Sequence, residues 1–227
     1  MKLDFHSHIL PGLDDGAADL ENSVALVAAM SEWGFERITC TPHITGKFRN
    51  TPDTIKPAFE STQEALYLRG IDVELRMSAE YRIVPETWPE VLQKNWLMPI
   101  EDRFILMELP IFHPEDIGDL KPLEEFKKVL SLGLTPILPH PERYFYLSKK
   151  ELMEFLEAGV KIQSNYGSLA GLYGDKAQHN ARALLDEGLV SYFGTDMHNL
   201  HYVDVIGQWF AEGNPIAEYS GNFYRQV

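Results

Sequence analysis

The chain has 227 residues, of which 44% are hydrophobic and 24% are charged, and its formal net charge is −14. This composition excludes a disordered or fibrous protein, and the length fits one domain over residues 1–227, because α/β barrels of this size bury a single core. The negative charge argues against nucleic acid as a partner, since binding to a phosphate backbone depends on Lys and Arg contacts. Small or peptidic phosphorylated substrates stay open, because divalent cations would offset the acidic charge locally.

The only cysteine, Cys40, lies in an apolar run where a buried and unreactive thiol is expected. A single cysteine allows neither an internal disulfide nor a thiolate zinc site. The N-terminal segment lacks the apolar core of a signal peptide, and no stretch is long and uncharged enough for a spanning helix. We therefore expect a cytoplasmic protein without membrane insertion.

A short apolar run, a polar residue suited to metal binding and a helix-like segment recur in this order along the chain. The seven runs and the residues after them are 2–5 with His6 and His8, 37–41 with His43, 73–77 with Glu80, 104–107 with Glu108, 135–138 with His140, 160–163 with Asn165, and 189–193 with Asp196 and His198. Strands that alternate with helices predict a parallel sheet, and polar residues at the carboxyl ends of its strands indicate a barrel. The predicted fold is a distorted TIM-like (β/α)7 barrel.

The helices between these runs have recognisable starts and stops. The first has an apolar face that begins at Leu20, and it stops near Gly34. Ser148 and Glu151 form a capping box before a later helix, and a further helix is predicted over about 176–188.

Two segments are interpreted as loops from their Pro, Gly and Asn content. Residues 45–57 are expected to be mobile beside His43, and residues 110–122 follow Glu108. Either loop lies where it could border a site at the strand ends.

The strongest local signal is His6-Ser7-His8, because side chains two apart on a strand point to one side and can bind one ion together. Alone, the pattern suits two polar residues at a strand end equally well. Six of the seven strands, however, are followed by His, Asp or Glu, and such residues converge at the carboxyl face of a barrel. Imidazole and carboxylate without thiolate suit zinc, iron or manganese with open coordination positions. The other histidines, His113, His179 and His201, are expected at the surface.

A set of motifs spread over residues 6–198 resembles the PHP (polymerase and histidinol phosphatase) family. The motifs are His6-Ser7-His8, Asp14-Asp15-Gly16, Thr41-Pro42-His43, Glu80, Glu108, His140-Pro141-Glu142-Arg143 and Asp196-x-His198. Within that family, the opening segment and the His-Pro-Glu-Arg segment are similar to the bacterial manganese-dependent protein-tyrosine phosphatases of capsule and exopolysaccharide operons.

The resemblance implies a site for three divalent metal ions, with manganese first and iron or zinc as alternatives. The ligands carried over by position are His6, His8, Glu80 and Asp196 for one ion, Glu80, Glu108 and His140 for the second, and Asp15, His43 and His198 for the third. Glu80 would bridge the first two ions. Asp14 could exchange roles with Asp15, so that choice stays open.

Arg143 and Asp14 are the candidate catalytic residues. Arg143 is interpreted as a phosphate clamp, because a guanidinium can bond two phosphate oxygens at once, although a surface ion pair with Glu142 is the alternative. Tyr144, next to Arg143, is the aromatic residue predicted to contact substrate, and plain packing is its alternative.

The predicted reaction is hydrolysis of a phosphomonoester by a metal-bound hydroxide, with Arg143 orienting the phosphoryl group and the general acid unassigned. The resemblance implies that the substrate is phosphotyrosine on the tyrosine-rich tail of a polysaccharide co-polymerase kinase. The nearest alternative is a small-molecule phosphatase, for example one acting on histidinol phosphate. A non-catalytic module that keeps the cluster is a further alternative, and the composition gives no sign of the basic groove that a nuclease needs. The oligomeric state stays open.

Overall fold

The computed structural model describes residues 2–213, which form nine strands and eight α-helices. The strands are β1 Lys2–Ser7, β2 Phe35–Cys40, β3 His43–Ile44, β4 Glu74–Met77, β5 Glu80–Arg82, β6 Phe104–Glu108, β7 Thr135–Pro139, β8 Lys161–Asn165 and β9 Tyr192–Gly194. The helices are α1 Leu20–Glu32, α2 Pro52–Leu68, α3 Trp88–Gln93, α4 Pro122–Ser131, α5 Lys149–Glu157, α6 Tyr166–Leu169, α7 Asp175–Asp186 and α8 Leu200–Ala211. Short 3-10 turns lie at Pro114–Ile117 and Pro141–Arg143.

The nine strands occupy seven positions, because two positions consist of two short strands in series. The order β1-β2-β4 forms one parallel sheet, and β3-β5-β6-β7-β8-β9 forms the other. Pairing continues across both breaks, where Ser78 N donates to Cys40 O at 2.9 Å and Glu80 N donates to Pro42 O at 3.2 Å. The strands β2 with β3, and β4 with β5, therefore each act as one interrupted strand, and the positions follow one another in chain order.

The first and last positions lie side by side at their carboxyl ends. In the described part of the chain no regular ladder joins β1 to β9, but Asp196 N donates to His6 O at 2.8 Å and His8 N donates to Met197 O at 2.9 Å. The buried carboxylate of Asp4 adds a bond from Thr195 N at 2.7 Å. The prediction of a parallel α/β fold of TIM-like type is confirmed, and the strands form a distorted ring.

A small apolar cluster fills the ring below the predicted site. Its buried members are Phe5, Ile100, Phe104, Leu106, Ile137 and Tyr192. The Phe5 ring stacks on Tyr192 with centroids 4.5 Å apart and lies 6.3 Å from Phe104, although β1 and β6 are not neighbours. These side chains therefore meet inside the ring. Because side chains alternate along a strand, Glu108 shares a face with Leu106 and lies above this apolar floor.

The helices pack a larger core against the outside of the strands, and their ends follow the predicted signals. Helix α1 is followed by Gly34 at φ 84°, and the capping box of Ser148 and Glu151 starts α5. The prediction that 45–57 is entirely a loop is wrong, because α2 begins at Pro52. Thr51 caps it, and proline at the first helical position suits a helix start. Between residues 2 and 213 no helix is both long and apolar enough to cross a bilayer.

Candidate metal centre

The nine residues predicted as ligands meet at the carboxyl end of the ring. Seven of them are buried, while His198 is half-buried and Asp15 is exposed. They fall into four overlapping sets in which one possible ligand atom from each residue lies within 4.8 Å of the others. The sets are His6, His8 and Asp196; His6, Glu80 and His140; His43, Glu80 and Glu108; and His8, Asp15, His43 and His198.

Glu80 stands at the centre of the cluster. Its Oε2 atom lies 3.4 Å from His6 Nε2, 3.3 Å from His8 Nε2 and 3.0 Å from His43 Nδ1. This buried oxygen nevertheless forms no hydrogen bond with any residue in the range 2–213. A buried carboxylate oxygen without a hydrogen bond is unfavourable, and a cation shared with the surrounding imidazoles would satisfy it. The donor set therefore fits divalent metal ions.

Glu108, His140 and His43 extend the cluster to one side of Glu80. His140 Nε2 lies 3.1 Å from Glu80 Oε1 and 3.9 Å from Glu108 Oε1, and His43 Nδ1 lies 3.8 Å from Glu108 Oε2. Since the resemblance places His43 only at the third ion, its nearness to Glu80 and Glu108 is an addition from the structure.

The third predicted group lies nearest to solvent. Asp15 Oδ1 is 3.6 Å from both His43 Nε2 and His198 Nε2. The Nδ1 atom of His198 lies 2.7 Å from the carbonyl oxygen of Asp196, which turns Nε2 toward the cluster. The His8 ring is stacked on His198 at 4.2 Å, so His8 borders this group as well as the first.

Asp14 and Asp15 occupy different positions. Asp14 Oδ2 lies 2.8 Å from His8 Nδ1 and accepts a bond from His43 N, while Oδ1 accepts a bond from Gly16 N. A Cβ atom on Gly16 would lie only 2.0 Å from the carbonyl oxygen of His8, so the motif needs glycine there. Asp14 thus holds the His8 ring from behind, and the geometry favours Asp15 as the ligand candidate. A catalytic role for Asp14 stays a prediction.

The charges of the cluster depend on one another. Burial lowers the pKa of His6, but the carboxylates of Glu80 and Asp196 raise it to about 9. Burial raises the pKa of Glu80, but the imidazoles of His6 and His43 hold it well below its usual range. His6 therefore holds a proton where it faces Glu80 and Asp196 in the metal-free protein, and a divalent ion would bind there by displacing that proton.

Arg143 reaches into the cluster from the turn after β7. Its Nη1 atom donates to Asp196 Oδ2 at 3.0 Å, and its guanidinium lies 4.1 Å from the centre of the Tyr173 ring. The alternative of an ion pair with Glu142 is wrong, because the Glu142 carboxylate is buried and accepts a bond from Asn165 N at 2.9 Å. The position of Arg143 is compatible with a phosphate clamp.

Tyr144 is buried below His140. Its hydroxyl accepts a hydrogen bond from Leu109 N at 3.2 Å, and its ring centre lies 5.6 Å from that of His140. These contacts give the side chain a packing role, and its contact with substrate stays a prediction. His113, His179 and His201 are exposed and outside the four sets, as expected.

A cavity of about 340 Å³ opens above the cluster. Besides predicted residues, its lining includes Arg82, Ile111, Phe112, Asn199 and Tyr202. Arg82 was not predicted from the sequence, although it lies two residues after Glu80 on β5 and so shares its face. Its Nε atom donates to Glu108 Oε2 at 2.5 Å. The cavity therefore contains two guanidinium groups beside the cluster.

The chain is similar in sequence to bacterial tyrosine-protein phosphatases. The chain is 28% identical over 201 residues to tyrosine-protein phosphatase YwqE of Bacillus subtilis, covering 87% of this chain and 78% of the relative. It is 29% identical over 210 residues to tyrosine-protein phosphatase CpsB of Streptococcus pneumoniae, covering 87% and 83%.

Solved structures with a similar fold include a metal-dependent tyrosine phosphatase. A chain from the work on YwqE of B. subtilis and CpsB of S. pneumoniae, described as unique metal-dependent tyrosine phosphatases, matches with a TM-score of 0.78 at 28% identity, covering 88% of this chain and 81% of the other. A putative histidinol phosphatase from Listeria monocytogenes shares the fold, with a TM-score of 0.54 at 15% identity, covering 93% and 99%. The model of the CpsB/CapC family of capsular polysaccharide synthesis matches residues 2–202, and the chain belongs to that family.

Proposed function

We propose that this protein is a metal-dependent phosphatase that hydrolyses phosphotyrosine in protein. The observation that carries the proposal is the gathering of nine His, Asp and Glu side chains around the buried Glu80 carboxylate, with two arginines in the same cavity. The tyrosine phosphatases of the same family support the substrate class.

The proposed centre holds three divalent ions, with manganese as the first candidate. By the family resemblance, the ligands would be His6, His8, Glu80 and Asp196 for one ion, Glu80, Glu108 and His140 for the second, and Asp15, His43 and His198 for the third. In the structure, His8 also lies with the third group and His43 with Glu80 and Glu108. Bound divalent ions supply Lewis acidity and lower the pKa of coordinated water to about 7. Glu80 is proposed as the bridging ligand, because its two oxygens face different partners.

Two arginines are proposed to bind the phosphoryl group. Arg143 is held by Asp196 through Nη1, which leaves the rest of its fork for phosphoryl oxygens. Arg82 is paired with Glu108 and adds positive charge to the lining of the same cavity. Their task is to orient the phosphoryl group for in-line attack, a contribution of position and charge rather than of covalent chemistry.

The rim of the cavity suits a phenyl ring. Ile111 and Phe112 line it, and the Phe112 side chain is 80% exposed. An apolar rim above a charged floor favours an aromatic ester over a short aliphatic one, because the ring of phosphotyrosine extends from the bound phosphate to the rim. A tyrosine-rich segment of a capsule-synthesis kinase is the proposed partner, in keeping with the family.

The proposal is tested by phosphate release from purified protein with Mn²⁺ present. The substrates are a phosphotyrosyl peptide, the same peptide with phosphoserine, histidinol phosphate and single-stranded DNA. We expect kcat/KM to be highest for the phosphotyrosyl peptide and no cleavage of DNA. Faster turnover of histidinol phosphate would contradict the protein substrate, and inactivity on every monoester would contradict the phosphatase assignment. Glu80→Gln protein serves as the control for contaminating phosphatases.

A further inference from the structure

We propose that Gln163 and Asn165 are positioning residues that form a buried amide relay between the metal ligands His6 and Asp196. The inference rests on the proposed metal centre and concerns how two of its ligands are held. Asn165 follows the only predicted strand whose end carries no His, Asp or Glu. In the structure that strand is β8, and its side chains form hydrogen bonds with the metal-ligand candidates His6 and Asp196.

The relay consists of three hydrogen bonds in series. His6 Nδ1 lies 2.9 Å from Gln163 Oε1, Gln163 Nε2 donates to Asn165 Oδ1 at 2.8 Å, and Asn165 Nδ2 donates to Asp196 Oδ2 at 2.7 Å. All four side chains are buried. Because Gln163 and Asn165 are two apart on β8, their side chains point to the same face, toward the ends of β1 and β9.

The carboxylate at one end sets the direction of the whole relay. Asp196 Oδ2 can only accept, so Asn165 must present its NH2 group there and its oxygen to Gln163. Gln163 must then present its own oxygen to His6, which places the proton of His6 on Nδ1. If both amides were turned the other way, the Asn165 oxygen would face the Asp196 carboxylate, and two acceptors cannot form a hydrogen bond. Once a metal ion displaces the proton on Nε2, the relay keeps the remaining proton of His6 on Nδ1 and leaves the lone pair on Nε2, the atom that faces the cluster.

The same relay selects one oxygen of Asp196 for the metal. Oδ2 receives bonds from Asn165 at 2.7 Å, Arg143 at 3.0 Å and Tyr173 at 3.1 Å. Oδ1 has none of these donors and lies 3.4 Å from His6 Nε2. Because Oδ2 already accepts these three hydrogen bonds, Oδ1 is the oxygen of Asp196 that can bind an ion.

Two further contacts indicate that the relay has a fixed place in the fold. Asn165 N donates to Glu142 Oε1 at 2.9 Å, which anchors the end of β8 to the turn that carries Arg143. A Cβ atom on Gly194 would lie 2.9 Å from Gln163 Nε2 and 2.7 Å from His6 Cβ. Only glycine leaves room for the Gln163 amide at this point of β9.

The test measures Mn²⁺ binding to the 227-residue chain by the loss of the free-ion signal in electron paramagnetic resonance, with activity recorded in parallel. The variants are Gln163→Leu, Asn165→Asp and the double variant with both changes. Gln178→Leu is the matched control, because its amide also donates a part-buried hydrogen bond, to Leu169 O at 2.8 Å, and Gln178 contacts none of the four ligand sets through that bond. Thermal unfolding of metal-free samples shows whether each variant folds.

We expect each relay variant to weaken binding of at least one ion about 10-fold to 100-fold, as outer-shell partners of metal ligands do, and the control to bind as wild type. The double variant should bind no more weakly than the worse single variant, because the relay acts as a unit. Activity should recover at high Mn²⁺ concentration.

Three results would overturn the relay. These are wild-type affinity in the near-isosteric Asn165→Asp variant, losses that add in the double variant, and an equal loss in Gln178→Leu. If Gln163→Leu does not fold, the Asn165→Asp variant decides. Wild-type protein that binds no Mn²⁺ would overturn the proposed metal centre itself, an outcome distinct from a centre that binds equally well without the relay.

Discussion

Replacing Arg143 by alanine separates binding of the phosphoryl group from construction of the metal centre. The guanidinium lines the cavity, and one of its donors contacts Asp196 Oδ2 at 3.0 Å. Loss of a charge-assisted phosphate contact should cost about 3 kcal/mol of transition-state stabilisation, which corresponds to roughly a hundredfold fall in kcat/KM. Metal binding should survive, because Asp196 Oδ2 keeps its bonds from Asn165 and Tyr173.

The assay combines steady-state hydrolysis of a phosphotyrosyl peptide with metal analysis of the same samples. Arg143→Lys should recover only part of the loss, because lysine lacks the bidentate fork. Arg37→Ala is the control, since Arg37 pairs with Glu74 and Glu101 away from the cavity. That variant should keep wild-type kcat/KM.

Two outcomes would refute the reasoning about Arg143. If the alanine variant lost its ions, the contact with Asp196 would be the main role of this side chain. If it retained both its ions and near wild-type kcat/KM, the guanidinium would not bind the phosphoryl group in the transition state.

Three further predictions concern the metals and the acidic residues. Chelation should abolish phosphate release and added Mn²⁺ should restore it, whereas undiminished turnover of metal-free protein would exclude the proposed mechanism. Glu80→Gln should lose more metal and more activity than Glu142→Gln. Glu80 faces several ligand candidates, whereas the only role of the Glu142 side chain described above is to accept a hydrogen bond from Asn165 N, which glutamine can also accept. Equal metal content and equal rates in the two variants would contradict this prediction. Burial raises the pKa of Asp4 from 3.8 to about 7 although Thr195 donates to it, so in metal-free protein the stability from this group is present at low pH and is lost as pH rises through 7. Asp4→Asn should therefore become more stable relative to wild type from pH 5 to pH 8 in urea unfolding, by up to about 3 kcal/mol, because about two pH units of the shift lie in this range, and a pH-independent difference would show that the pKa of Asp4 is not raised.

The sequence by itself determined the class of fold and the chemical type of the site. Short apolar runs, each followed by a ligand-type residue, predict parallel strands, and the carboxyl ends of parallel strands must meet at one edge. The His6-Ser7-His8 spacing predicts a shared ion because alternation along a strand is a local property. The capping box at Ser148 is local in the same sense, and the predicted starts of α1 and α5 agree with the structure.

The tertiary structure decided which atom of each side chain faces the cluster. Adjacent in sequence, Asp14 and Asp15 were interchangeable, until Asp14 was found with both oxygens bonded behind His8 and Asp15 with an oxygen near His43 and His198. These bonds come from a loop folding back onto two strands. No spacing along the chain indicates which oxygen remains free.

The outer residues of the site were likewise decided only by the fold. Gln163 and Asn165 are neutral amides with no pattern of their own, and their role follows from lying between the ends of β1 and β9. Arg143 was predicted to face phosphate, but its partner Asp196 is 53 residues away along the chain. Hydrogen-bond saturation depends on atoms that distant segments bring within 3 Å of one another, and a linear pattern records the donors and acceptors without their pairing.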